Sequence, residues 1–374
     1  MFKRILALVK KEFIHLRNDW WLPAFMLLGG VMELMAVGWA TSRPINNLPL
    51  MVLDYDQSAA SRAFIISLEN TETFTLEAEV DDMQTIESAL ERGTINAALI
   101  IPPDFSEAMA DPNGKPSLSF ILNGAESVPA TAALRAVDGV ARTLNEEIVI
   151  DRLGLSPDEF EGFAPRLRVW FNEALSEALY TTPAEMGLML EFTTLLFAAL
   201  AFSREKELGT LEQLLVMPFS SLEIIIGKAI PVIIVAYTDF LLMLGMVHFV
   251  FDVPIRGSLG LLFLLGFGYL LVELGKGMVL SVISKTQMQA FLLVLLVGMT
   301  DFMFTGYAAP VESMPQALQT FAKIIPAHHW LEIVRGIMLK GAGIEVIWEH
   351  VAALGILGTV IMIFSLRFVR RALD

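Results

Sequence analysis

Six stretches of this chain stay apolar long enough to cross a bilayer: Leu22–Thr41, Pro183–Phe202, Ala229–Phe251, Ser258–Ile283, Ala290–Tyr307 and Val346–Arg367. Crossing about 30 Å of hydrocarbon takes about 20 helical residues. Inside that layer each backbone N–H and C=O must bond within its own segment, so runs of this length are helices. The spacing predicts a membrane all-α bundle of six transmembrane helices. Mean hydropathy is +0.61, and charged residues make up 18% of the chain, against about 25% in soluble chains. The absence of cysteine excludes a disulfide framework and any Cys-ligated metal or redox centre.

The net charge of −15 is a local property. Residues 43–182 hold 9 Lys+Arg against 23 Asp+Glu, so nearly all the imbalance sits in one insert between the first two spans. An acidic insert beside apolar runs reads as a water-exposed domain, and its sign argues against nucleic acid. Strand-like Leu48–Asp54, Phe74–Val80, Ile95–Ile101 and Leu118–Leu122 alternate with helical Ser58–Leu68, Met83–Arg92, a short piece after Pro102–Pro103, and Thr131–Leu153. That alternation predicts an inserted extracytoplasmic α/β domain over 43–182.

Residues 1–21 carry Lys3, Arg4, Lys10, Lys11 and Arg17, with Phe2, Ile5, Leu6, Val9, Phe13 and Leu16 on one face. This pattern predicts an interfacial amphipathic helix, followed by Trp20 and Trp21 at the level of an aromatic belt. A cleaved signal peptide is the rival reading. Its apolar core runs only about 7–15 residues, and Glu33 does not suit one, so 22–42 is taken as an uncleaved first span. Short connectors on one side hold Arg204, Lys206, Lys228, Lys285, Arg367, Arg370 and Arg371. With the N-terminal cations, these place both termini in the cytosol and residues 43–182 outside. Lys323, Arg335 and Lys340 vote mildly the other way.

One polar segment, Ser203–Pro231, is wedged between two strongly apolar runs. Arg204, Glu205, Lys206, Glu207 and Glu212 supply a charged face, Leu208, Leu211, Leu214 and Leu215 an apolar one, and Pro218 ends the turn. A short amphipathic hairpin between spans presents a small rigid surface to the cytosol. Its wording, R-E-K-E-x-G-T-x-E-x-L-x-x-x-P followed by Gly227–Lys228, resembles the coupling segment of type-2 ABC exporter permeases. Glu312–Pro315, Gln316–Leu318, Pro326, Arg335–Gly336 and Leu339–Gly343 resemble the loop before that family's last helix. Asp54–Ser61 and Ile101–Phe105 resemble its external domain. The resemblance spans nearly the whole chain in one order.

The resemblance implies a bacterial inner-membrane, multidrug-type half-permease with a five-helix domain over 183–374. It implies a coupling helix at 204–218, with Arg204, Glu205, Glu207, Gly209, Thr210, Glu212, Leu215 and Pro218 contacting a separate ABC ATPase subunit. ATP and Mg would be held on that partner. A second permease, as homodimer or related heterodimer, and a periplasmic adaptor are further implied partners in the lipid bilayer. An external re-entrant segment at 312–343, with Met314, Pro315, Pro326, Arg335 and Gly336, would cap the cavity between the two permeases.

No G-x-x-x-x-G-K-[ST] occurs, because Gly227–Lys228 and Gly275–Lys276 lack the upstream glycine. Nucleotide phosphates therefore have no such cradle in this chain, and it is read as a transport subunit rather than an enzyme. His328–His329 has no third ligand nearby in sequence, so no metal site is expected. Ionisable residues within the spans are Glu33, Glu185, Glu191, Asp239, Glu273, Lys276 and Asp301, each costing at least about 2.5–3.5 kcal/mol at a helix centre. Glu273 and Lys276 lie three apart and can neutralise each other, with Lys276 free to snorkel toward water. Glu191 and Asp301 have no cation close in sequence. In the resembling family the second and fifth spans line the shared axis, which makes these two acids candidates for the path of an amphipathic or cationic substrate. A membrane-anchored receptor or scaffold with a ligand-binding external domain is the alternative, and a secondary transporter lacks support because no inverted repeat of interrupted helices is present.

Overall fold

The computed structural model describes residues 1–42, 45–111, 113–153, 170–173 and 176–373. Within the expected insert, residues 43–44, 112, 154–169 and 174–175 lie outside the described residues. Two compact units emerge: 44–167, and the remainder of the chain on either side of it.

The smaller unit contains β1 (Leu48–Asp54), α3 (Ala59–Glu69), β2 (Phe74–Glu79), α4 (Met83–Glu91), β3 (Ala97–Ile101), α5 (Phe105–Ala110), β4 (Ser119–Leu122) and α6 (Ser127–Leu153). The sheet order is β2-β1-β3-β4, with β1 parallel to both neighbours and β4 antiparallel at the edge. Side chains alternate across a strand, and here both faces are covered. Leu48, Leu50 and Val52 pack with Phe64, Ile65, Leu68 and Phe105, while Leu53 and Ala98 pack with Ile86 and Ala89 of α4. Ser58 accepts the Ala60 and Ser61 N–H groups at the start of α3, and Asp82 accepts that of Thr85 at the start of α4. Each satisfies donors that a helix N-terminus leaves free.

The larger unit is helical: α1 (Phe2–Asn18), α2 (Trp21–Ser42), α7 (Glu177–Glu207), α8 (Leu211–Val216), α9 (Ser221–Phe249), α10 (Leu259–Ile283), α11 (Gln287–Phe304), α12 (Gln316–Ala322), α13 (Pro326–Lys340) and α14 (Ile344–Leu373). Six of them are long and apolar enough to cross a membrane: α2, α7, α9, α10, α11 and α14. α7 is the hub. Its apolar window is 78% buried, against 17% for α11 and α14, so the second span lies inside the bundle rather than on an open face. Trp20 and Trp21 stay exposed at the start of α2.

α1 differs from a simple interfacial helix. Phe2, Leu6 and Phe13 are exposed while Leu8 is buried, with its Cβ 2.6 Å from where a Cβ on Gly227 of α9 would sit. The expected apolar face is therefore split: Val9 and Leu16 join Leu8 against the bundle, and Phe2, Leu6 and Phe13 stay outward. α13, at 15 residues and about 22 Å, is too short to span, yet Trp330, Leu331, Ile333, Val334 and Ile337 are fully buried. Its proline at the first turn and left-handed Gly341 at the end (φ 66°) mark its limits.

α10 packs tightly against α7. A Cβ on Gly277 would lie 2.5 Å from Ala198 Cβ and 2.9 Å from the Leu195 carbonyl, so only glycine admits the contact. Gly277→Leu is expected to lower stability by about 3 kcal/mol or more, at or beyond the upper end of ordinary overpacking. Thermal unfolding of the purified chain measures this, and an unchanged transition contradicts the packing described.

Candidate functional site

The segment joining α7 to α9 is built as an elbow. α7 ends at Glu207 with Leu208 as its cap, and Gly209 turns the chain at φ +68°, a value glycine adopts without strain. α8 follows as a short separate helix. The 204–218 stretch is thus the last turn of one helix, a break and a second helix, where one continuous coupling helix was expected. At the far side Ser220 and Glu223 form a reciprocal capping box that starts α9.

Part of the expected charged face is tied back into the bundle, while Glu207 and Glu212 stay exposed. Glu205 is buried and accepts from Lys11 Nζ at 2.5 Å, from Lys228 Nζ at 3.1 Å and from the Thr210 hydroxyl. Lys228 also reaches Glu12 at 2.8 Å, so two cations and two carboxylates close a network between α1, α7 and α9. Arg204 pairs with Asp19, and Arg4 donates to the Pro218 carbonyl at 2.7 Å. Lys206 donates to the carbonyls of Ser281, Val282 and Ser284 where α10 ends, and Glu207 accepts the Gln287 N–H at 2.7 Å where α11 begins. A cation on exposed carbonyls and an anion on exposed N–H groups each match the helix terminus they meet.

What remains outward is largely apolar. Leu208, Leu215, Val216 and Met217 are exposed, Val216 at 84%, while Leu214 packs inward. Glu212 and Pro218 are exposed beside them. Of the residues picked from sequence, Glu207, Gly209, Glu212, Leu215 and Pro218 therefore lie on the outer surface. Arg204, Glu205 and Thr210 position it, Gly209 supplies its turn, and Glu207 ties it to α11. Lys11, Glu12 and Lys228 were missed because their partners lie roughly 200 residues away or across the elbow.

A second cluster lies within the bundle. Lys276 Nζ is 2.6 Å from Asp301 Oδ2, 2.7 Å from Glu273 Oε2 and 3.6 Å from Glu191 Oε1. The Tyr269 hydroxyl donates to Glu191 Oε2 at 3.0 Å. Glu191 and Asp301 thus share the cation that pairs with Glu273, and Lys276 is held in this cluster rather than snorkelling. Formally, three carboxylates meet one ammonium. Asp239 stands apart, accepting from Thr193 at 2.7 Å.

In the 312–343 stretch, Pro315 precedes α12 and Pro326 opens α13. Gln319 Nε2 donates to the Met314 carbonyl at 2.8 Å. The Arg335 guanidinium lies 3.8 Å over the Tyr180 ring, and the Tyr180 hydroxyl donates to the Gly306 carbonyl at 2.8 Å. The Gly336 carbonyl accepts the Ala342 N–H at 2.9 Å. His328–His329, expected to lack a third ligand, is met by His350 of α14, with His329 Nδ1 3.1 Å from His350 Nδ1. Burial holds the His328 and His329 rings below the usual imidazole range.

Six apolar helices, one of them a buried hub that the elbow joins to the next, define a multi-pass helical membrane protein. The sequence family described as ABC-2 family transporter protein matches residues 20–367, and the chain belongs to that family. It is 28% identical to the Escherichia coli K12 protein named probable multidrug ABC transporter permease YbhR, over 93% of each chain. It is 27% identical to the E. coli K12 inner membrane transport permease YhhJ, over 98% of this chain and 97% of that one. It is 26% identical to E. coli K12 YbhS, likewise named a probable multidrug ABC transporter permease, over 91% and 89%.

Removing one partner of a buried ion pair strands the other charge, which costs about 3–5 kcal/mol. Lys276→Met is expected to lose stability of that order, and adding Glu273→Gln is expected to restore part of it. Thermal unfolding of the two variants measures this, and equal transitions in wild type and Lys276→Met contradict the pairing.

Proposed function

We propose that this chain is the permease subunit of an ATP-driven ABC exporter in a bacterial inner membrane, moving an amphipathic or cationic small molecule out of the cytoplasm. The observation that carries the reading is the elbow. An exposed apolar knuckle (Leu208, Leu215, Val216, Met217) stands on a floor of buried ion pairs. Exposed apolar side chains beside polar residues mark interaction sites, and a rigid floor under them transmits force. In this reading the knuckle seats in a separate ATPase chain that holds ATP and Mg, both termini are cytosolic, and residues 43–182 lie outside.

Force applied to the knuckle has a physical route inward. Glu205 binds the elbow to α1 and α9, while Lys206 and Glu207 bind the end of α7 to the α10–α11 turn. α10 and α11 in turn carry Lys276 and Asp301. A shift of the elbow therefore biases the cluster, and opening it would expose carboxylates to a cationic substrate. Glu191 and Asp301 are proposed to contact the substrate in that opened state. The outward faces of α2 and α11 are proposed to meet a second permease, with 312–343 closing the outer mouth and a periplasmic adaptor beyond.

Val216→Asp is expected to lower substrate-stimulated ATP hydrolysis of the assembled transporter by roughly tenfold or more, since a desolvated charge in an apolar pocket costs at least about 1.4 kcal/mol. The same variant should melt as wild type, because Val216 touches solvent. Glu205→Gln should lower both. Wild-type turnover in Val216→Asp contradicts the docking role.

A further inference from the structure

Outside the elbow and the carboxylate cluster, the bundle brings three imidazoles together. His328 and His329 open α13, and His350 comes from the second turn of α14, 21 residues on. One ring nitrogen from each lies within 4.8 Å of the others. Their ring centroids are 5.2, 5.4 and 6.1 Å apart.

The hydrogen bonds assign the lone pairs. A carbonyl only accepts, so His329 Nε2, 2.8 Å from the Lys323 carbonyl, carries the proton. Its Nδ1 then holds a lone pair aimed at His350 Nδ1, 3.1 Å away. His328 Nδ1 faces the Thr305 carbonyl at 3.4 Å and donates, which leaves its Nε2 unprotonated. Two of the three rings are thus anchored by backbone carbonyls on the nitrogen that is not needed for ligation. That is the outer-shell arrangement of metal-ligating histidines, where the far N–H is held by a carbonyl or carboxylate. Without a metal, His350 donates its Nδ1–H to His329. Moving that proton to Nε2 of His350 leaves two lone pairs facing each other with no proton lost from the ring. With Zn–N bonds of about 2.0–2.1 Å, a tetrahedral site separates its nitrogens by about 3.4 Å, close to the 3.1 Å already present. Glu332, one helical turn after His328 and His329, adds negative charge beside the group.

We infer that His328, His329 and His350 form a binding site for a divalent transition-metal ion of the zinc class, with a fourth position open to water. Three imidazoles without thiolate suit zinc, copper or nickel rather than magnesium or calcium. The ion would staple α13 to α14. Through Thr305 and Lys323 it would also fix the ends of α11 and α12. The site involves only the helical unit and stands independently of the proposed transport role.

The test uses the full chain without an affinity tag, purified in detergent and stripped with a chelator. Zn2+ is titrated against a chromophoric competitor. One Zn2+ per chain is expected in wild type. His329→Gln and His350→Gln should weaken binding by roughly tenfold or more, since loss even of an outer-shell partner costs about 10–100-fold. His248→Gln should bind as wild type, because that ring contacts the Val253 carbonyl instead. Co2+ gives a second readout that needs no variant: intense visible bands of a four-coordinate nitrogen site support the assignment, and only weak six-coordinate bands overturn it. Absence of Zn2+ binding by wild type, or His350→Gln titrating as wild type, also overturns it.

Discussion

Everything in the helical unit depends on how α7 keeps its charges while it is buried. The helix carries Glu185, Glu191 and Glu205, all nearly inaccessible, and low-dielectric surroundings make each an unfavourable place for a charge unless a partner is supplied. Glu191 is reached by Lys276 and Tyr269, and Glu205 by Lys11, Lys228 and Thr210. These partners come from α1, α9, α10 and the elbow. The obligation to pair one helix's acids therefore fixes where its neighbours lie.

The same obligation gives the elbow its two characters. Its polar residues are spent on internal bonds: Arg204 on Asp19, Lys206 on the end of α10, Glu207 on the start of α11. Leu208, Leu215, Val216 and Met217 are left facing out, while Leu214 packs inward. A sequence read by amphipathicity alone assigns charge outward and leucine inward, which Glu207, Glu212 and Leu214 follow and Glu205, Leu208 and Leu215 do not. Buried ion pairs contribute little net stability but resist alternative geometries, which suits a rigid mount. Glycine does the complementary work, Gly209 turning the chain and Gly277 letting α10 close on α7.

How much was legible follows from range. The six spans, the alternation of strands and helices in the insert and the short helices after Pro315 and Pro326 rest on periodicity and chain punctuation, which are local. Their bounds agree with the structure to within a few residues at most ends, although α7 and α9 run several residues further into the elbow. The break at Gly209 carried a local signal, a glycine inside a helical pattern, that the leucine spacing outweighed. Lys276 as a shared partner was illegible because Asp301 is 25 residues away and Glu191 lies on another helix. His350 was hidden in the same way, separated from His328 and His329 by the turn between α13 and α14. The bundle-facing side of α1 was half visible, since Val9 and Leu16 belong to the expected stripe while Leu8, Lys11 and Glu12 fall off it.

On the proposed function, the apolar knuckle of the elbow is the surface through which this chain meets an ATPase. The chain has no cysteine, so a single one can be introduced at Val216, on the knuckle, or at Leu264, exposed on the membrane face of α10. Each variant is co-expressed with the ATPase chain and treated with a short thiol-to-amine cross-linker in membranes. A covalent permease–ATPase adduct is expected from Val216→Cys and none from Leu264→Cys. No adduct at Val216, or equal adducts at both positions, would contradict that role of the knuckle.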